Sequence, residues 1–216
     1  MTAIAASPFP TTLQRDTLRA RDGSVARGRE HSAAGTITDI FIGGCNDPRT
    51  RLVADYARAH ASAHPERDTA YFRQSQGRAL KSYLRELPDH ARINIVAHSW
   101  GVPTACRALS RVRRRVELLI GVDPVNRNPL GLLPEPAALP GLRRLVHVEA
   151  TGLARHWDDG NGIASIGRFW CGDRPAAFRA DGLERIDAPY PHSFFAALFE
   201  HRPAGAPSAA DILRSA

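Results

Sequence analysis

Ser99 ends the run Ile93-Asn94-Ile95-Val96-Ala97-His98-Ser99-Trp100-Gly101, an apolar stretch that stops at a serine among small residues and leads into a helix-like segment, Val102 to Val112. That order describes a nucleophile elbow. A serine on a tight strand-to-helix turn has its hydroxyl pushed out above the sheet edge, and the first backbone N–H groups of the helix face whatever it attacks. The turn needs little side-chain volume two positions to either side, which Ala97 and Gly101 supply; the commoner form carries Gly in place of Ala97. A small-x-Ser-x-Gly pentapeptide alone equally marks a plain turn, so its weight comes from the buried strand before it and the helix after it.

A serine hydroxyl is a poor nucleophile at neutral pH. A histidine must take its proton, and a carboxylate must orient the imidazole and stabilise it once charged. In chain order the expected sequence is Ser, acid, His. His192 is the expected base: it sits in the proline-stiffened loop Ala188-Pro189-Tyr190-Pro191-His192-Ser193, which opens onto the apolar helix Phe194 to Phe199. Its rival is His156. His98, beside the serine, should turn its side chain away from the hydroxyl, and His147 lies within a strand. The bland role for His192 is helix capping or core filling. For the acid, Asp123 follows the buried run Leu118-Leu119-Ile120-Gly121-Val122 and precedes Pro124, which would deliver one carboxylate at a strand tip. An Asp-Pro turn without chemistry is the plain alternative. Asp158 and Asp159, after the next strand, remain alternatives for the acid, with Glu149 a weaker one.

The tetrahedral oxyanion requires two donors. The backbone N–H of Trp100 is expected as one and that of Gly44 or Cys45 as the other, because glycine permits close backbone approach. Gly43-Gly44 also reads as a tight turn into a helix. Nothing beside Cys45 in sequence favours a thiolate, so it is expected to be a small packing residue.

The elements that must hold these groups alternate along the chain. Strands are expected at Thr36 to Ile42, Thr69 to Phe72, the run ending at Ser99, Val116 to Val122 and Leu142 to Glu149, with helices at Arg49 to His60, Gly77 to Leu87 and Val102 to Val112. Such alternation argues for an α/β fold, a mostly parallel central sheet with helices on both faces. In an open parallel sheet the ligand crevice lies outside the carboxyl ends of the strands. Ser99, Asp123 and the Gly43-Gly44 loop each follow such an end. Residues 150–174, rich in Gly, Asp and Trp, have no clear period and suggest a lid or binding loop; 176–186 suggests a further short strand or hairpin. Residues 1–35 read as a mobile tail and 202–216 as a C-terminal tail or weakly held helix, leaving 36–201 as one domain.

With 216 residues and 43% hydrophobic content, the chain suits a single core. No secretory-signal pattern opens it and no apolar run approaches a membrane span, so a cytoplasmic protein is expected. Cys45, Cys106 and Cys171 show no disulfide framework or zinc spacing, and no metal or cofactor is expected. The net charge of +7 comes almost wholly from arginine, Lys81 being the only lysine. Arg111, Arg113, Arg114 and Arg115 read as a solvated helix end whose cations suit the helix dipole, with peripheral contact to anionic lipid as the functional alternative and no nucleic-acid partner expected.

The elbow, the Gly-Gly loop, the strand-end Asp123-Pro124 and the late His192 together resemble the α/β-hydrolase superfamily over about residues 36–201. Ile120-Gly121-Val122-Asp123-Pro124-Val125 is similar to the acid segment of pancreatic-type lipases and several bacterial lipase effectors. The resemblance implies a lipase, esterase or thioesterase acting without a cofactor on a small-molecule or lipid ester. The chain shows no convincing pair of leading antiparallel strands before Thr36, which implies a trimmed sheet. A hydrolase-fold protein that only binds ligand or partner is the alternative from another class. Trp157, Phe169, Trp170, Phe178, Phe194 and Phe195 are candidates to line an acyl pocket, although aromatics at such positions are more often core.

Overall fold

The computed structural model describes residues 37–126, 138–152, 164–165, 169, 175–179 and 183–216. In chain order the described elements are β1 (Ile37–Gly43), α1 (Asp47–Thr50), α2 (Leu52–Ala63), β2 (Asp68–Arg73), α3 (Gly77–Glu86), β3 (Arg92–His98), α4 (Gly101–Leu109), β4 (Val116–Val122), β5 (Leu142–Ala150), a 3₁₀ turn (Ala176–Arg179), β6 (Glu184–Ala188), α5 (Phe195–Glu200) and α6 (Ala209–Ser215). The six strands form one sheet in the order β2-β1-β3-β4-β5-β6. Every neighbouring pair is parallel.

Strands buried on both faces must be apolar on both faces, which is why Ile93–Ala97 and Leu118–Val122 show almost no alternation. Leu80, Leu84, Val102, Ala105, Cys106 and Leu109 from α3 and α4 cover one face together with Phe178. Val53, Ala57, Phe195, Leu198, Phe199, Ile212 and Leu213 from α2, α5 and α6 cover the other. Each such fully buried aliphatic or aromatic side chain contributes roughly 1.5–3 kcal/mol relative to exposure. The fold is α/β, as expected: a parallel sheet wrapped on both faces, with a strand-turn-helix at Ser99.

Strand order reverses direction between β1 and β3, so the crevice at that switch point opens above Gly43 and His98, the last residues of the two strands. No helix among the described residues is long and apolar enough to cross a membrane.

Three expectations are corrected in detail. The single helix over 49–60 is two, α1 and α2, separated by Arg51 in the left-handed region at φ 57°. The buried carboxylate of Asp47 reaches past this break and accepts the N–H of Val53 at 2.8 Å, serving the first turn of α2. Residues 202–216, expected as a tail or a weakly held helix, carry the helix α6, and it is firmly held. Ser208 and Asp211 cap α6 reciprocally, and Ala209, Ala210, Ile212 and Leu213 are buried against the sheet. The Ala/Pro/Ser content suggested weakness, but the apolar positions form a stripe at helical spacing, and that stripe decides. Cys45 is exposed rather than a packing residue. The expected N-terminal tail, and most of the irregular stretch over 150–174, lie outside the described residues.

Arg111, Arg113, Arg114 and Arg115 precede β4 and so sit at the amino end of the sheet, away from the crevice. Arg114 pairs with Asp89 at 2.6 Å and Arg115 with Glu117 at 2.7 Å.

Candidate active site

Ser99 follows β3 with φ 53°, and Asp123 follows β4 with φ 41°. For a residue with a Cβ the left-handed region costs about 1–2 kcal/mol. Two such residues at adjacent strand ends mark a place where the backbone is held against its own preference. The hold is visible: the Ser99 N–H donates to the Val122 carbonyl at 3.0 Å, and the Asp123 N–H donates to the Val148 carbonyl at 2.7 Å. Both turns are thereby fastened to the neighbouring strand.

Close approach explains the glycines around the elbow. A Cβ on Gly101 would lie 2.6 Å from the Ile42 carbonyl oxygen, so only glycine lets the first turn of α4 abut the end of β1. A Cβ on Gly44 would lie 2.9 Å from the Ser99 Cβ, so only glycine brings the loop after β1 up to the serine. That loop is fixed by Asp47, whose N–H donates to the Gly44 carbonyl at 3.3 Å and whose carboxylate accepts a short hydrogen bond from the Tyr71 hydroxyl. Burial raises the Asp47 carboxyl above its ordinary range, against the opposing hydrogen bonds from Tyr71 and Val53.

His192 arrives from the loop between β6 and α5. Its Nε2 is 3.0 Å from Ser99 Oγ, and its Nδ1 makes a short hydrogen bond to Asp123 Oδ2. The carboxylate only accepts, so Nδ1 carries a proton and Nε2 of the neutral ring is the acceptor for the serine hydroxyl. The other carboxylate oxygen, Asp123 Oδ1, accepts the Ala150 N–H at 3.2 Å. All three side chains are buried, with relative exposures of 7% for Ser99, 0% for Asp123 and 9% for His192.

The loop that carries His192 is braced by the segment after β5. Thr151 donates to the Ala188 carbonyl through its N–H at 2.8 Å and its hydroxyl at 3.0 Å, and the Gly152 N–H donates to the Tyr190 carbonyl at 3.2 Å. Phe195, the first residue of α5, is buried beneath it.

Ser99, Asp123, His192 and Gly44 are thus brought together. Trp100 is the N-terminal cap of α4 and follows the serine directly. Cys45 follows Gly44 with its side chain exposed. Among the alternatives, Glu149 lies on β5 with its carboxylate 3.0 Å from His147 Nε2. His156, Asp158, Asp159, Trp157 and Trp170 lie outside the described residues. Of the aromatic candidates, Phe178 and Phe195 are core, whereas Phe194 is 48% and Phe169 is 82% exposed.

Sequence reasoning set His98 aside, yet its ring is part of the site. It is buried, its Nε2 is 2.9 Å from the His192 carbonyl oxygen, and it stacks on the His192 ring at a centroid distance of 4.7 Å. The elbow geometry that turns its side chain from the hydroxyl speaks to the serine and not to the loop overhead, so the contact with His192 had no signal in the sequence. Asp47 and Tyr71 were missed as well, being 24 positions apart in the chain.

No protein-family model matches the chain, and no curated protein matches it in sequence. Among solved structures it is similar to a protein from Xanthomonas campestris pv. campestris assigned as a hydrolase of the alpha/beta superfamily, with 17% identity, a TM-score of 0.49, and coverage of 83% of this chain and 99% of that one. It is also similar to a metagenomic carboxyl esterase, with 14% identity, a TM-score of 0.41, and coverage of 79% of this chain and 72% of that one. At these values the likeness is one of backbone course, and the side chains of this chain alone speak to chemistry.

Proposed function

We propose that this protein is a serine hydrolase that cleaves a carboxylic ester through an acyl-enzyme. One observation carries the proposal: a buried serine hydroxyl on a strained strand-to-helix turn lies 3.0 Å from an imidazole whose other nitrogen is bonded to a buried carboxylate. Ser99 Oγ attacks the ester carbonyl carbon while its proton passes to His192 Nε2. Asp123 stabilises the imidazolium that forms and keeps the ring in the required orientation. The oxyanion accepts hydrogen bonds from the Trp100 N–H and from the Gly44 or Cys45 N–H. Collapse breaks the bond to the alcohol, which leaves with the proton from His192. Water then adds to the acyl-enzyme, with His192 taking its proton and returning it to Ser99 as the acid is released. Water is the only co-reactant that these steps consume.

A fluorophosphonate probe tests this directly. Wild-type protein should be labelled and Ser99→Ala should not; a folded wild-type protein that takes no label ends the proposal in favour of a binding role. Hydrolysis of p-nitrophenyl esters of graded acyl length, beside an acyl-thioester panel, reads the substrate class. Faster turnover of thioesters would assign a thioesterase with the same residues in the same roles.

A further inference from the structure

His192 is carried by a loop, and a base on a loop needs a fixed point if it is to stay within hydrogen-bond reach of its nucleophile. His98 supplies one. Its Nε2 lies 2.9 Å from the backbone carbonyl of His192. A carbonyl only accepts, so Nε2 carries the proton and Nδ1 of the neutral ring keeps its lone pair. Nδ1 faces the opposite wall of the site, where a Cβ on Gly44 would lie 3.4 Å from it. The ring stacks on His192 with an interplanar angle of 30° and lies edge-on to Phe195 at 5.5 Å.

We propose that His98 is a positioning residue: its Nε2–H holds the His192 backbone, and its ring face holds the His192 ring, in the pose that meets Ser99 Oγ. The residue before the nucleophile thereby ties the elbow to the base loop and abuts the oxyanion loop. This inference rests on the serine-hydrolase reading of the same site.

Electrostatics suit the task. Burial, helped by the neighbouring His192, pushes His98 down to about 3. A neutral His98 keeps one tautomer while His192 gains and loses its proton, and it does not repel the imidazolium formed during turnover. The titratable groups acting on it are His192 and Asp123; Phe195 and Gly44 add no charge.

Three variants separate positioning from mere packing. His98→Gln keeps an N–H at the ε position, His98→Asn stops one bond short, and His98→Leu has none. Misplacement of a reacting group by about 1 Å costs on the order of 100-fold, so kcat of the Asn and Leu variants should fall about that far with KM nearly unchanged. The Gln variant should recover most of it. Equal turnover of the Asn and Gln variants, or a loss carried by KM, overturns the proposal. If a variant does not fold, ¹⁵N imidazole spectra of the wild-type protein decide. His98 should appear as the Nε2–H tautomer and remain neutral between about pH 5 and 8, and a Nδ1–H tautomer or a titration there overturns the proposal. Active wild-type protein with fully active His98→Asn sinks this inference alone, whereas a wild-type protein that hydrolyses nothing sinks the hydrolase reading and the positioning role with it.

Discussion

Asp123 with His192 and Asp39 with His60 are both buried carboxylate–imidazole pairs, the first at the carboxyl rim of the sheet, the second lower on β1 beneath α2. In the lower pair, His60 Nε2 is 2.8 Å from Asp39 Oδ2, and the same carboxylate accepts from Asn94 Nδ2 at 2.9 Å and from Arg67 at 3.2 Å. Arg67 also donates to the Leu213 and Arg214 carbonyls, so the cluster fastens the end of α6 to the sheet. The His60 ring is packed between Phe41 and His64. At the rim, by contrast, the far nitrogen of the histidine meets a hydroxyl, Ser99 Oγ at 3.0 Å. An aspartate–histidine pair is therefore not chemistry in itself. It becomes chemistry where the second ring nitrogen faces a nucleophile at a strand end; in the lower pair, where the carboxylate also holds Arg67 and Asn94, it is a structural clamp.

Substitutions at matched positions sharpen that contrast. The largest effect belongs to the histidines. His192→Gln should lower ester turnover by about 10⁵- to 10⁶-fold. His60→Gln, remote from the rim, should leave turnover within about twofold. Equal losses would erase the distinction. Next come the carboxylates. Asp123→Asn should cost about 10⁴ in kcat with little change in KM, since the imidazole then takes the wrong tautomer. If Asp158→Asn or Asp159→Asn gives that loss instead, the acid sits after β5. Asp39→Asn should spare kcat and lower stability by about 3 kcal/mol in a denaturant titration, because Arg67 then keeps only the exposed Glu66, at 4.0 Å, as a charge partner.

The smallest effect is in acid. Burial alone would raise the Asp39 carboxyl, but hydrogen bonds from His60 and Asn94 and the charges of His60 and Arg67 outweigh it and hold it below its ordinary value of 3.8. Its stabilisation is therefore present above 3.8 and is lost as pH falls through its folded-state value. His98 is depressed from 6.5 to about 3, so the unfolded chain binds its proton first and stability falls as pH drops from 6.5 towards 3. The rim should thus begin to lose stability at higher pH than the clamp. His98→Gln should remove the upper part of that acid limb, and an unchanged limb would refute the assignment.

Much of this was legible beforehand. β1, β3, β4 and β5 fall within a residue or two of their expected bounds because runs such as Ile93–Ala97 are too apolar for any place but a covered sheet. The elbow was legible because strand, small residue, serine, glycine and helix are all local. The break between α1 and α2 was not, since nothing about an arginine asks for the left-handed region. The clamp was invisible for a different reason: Asp39, His60, Arg67 and Asn94 lie on different elements, and only the packing of α2 over β1 brings them together and buries Asp39, His60 and Asn94.

The amino-acid sequence by itself determined which segments are strands and helices and the order serine, aspartate, histidine along the chain. Parallel strands all end at one rim, so that order was enough to suggest that the three could meet. Only the tertiary structure decided that they do, and which other groups join them. Whether His192 Nε2 reaches Ser99 Oγ, or whether His98 faces the hydroxyl or the loop above it, depends on strand register and loop course to within an ångström, which no local periodicity encodes.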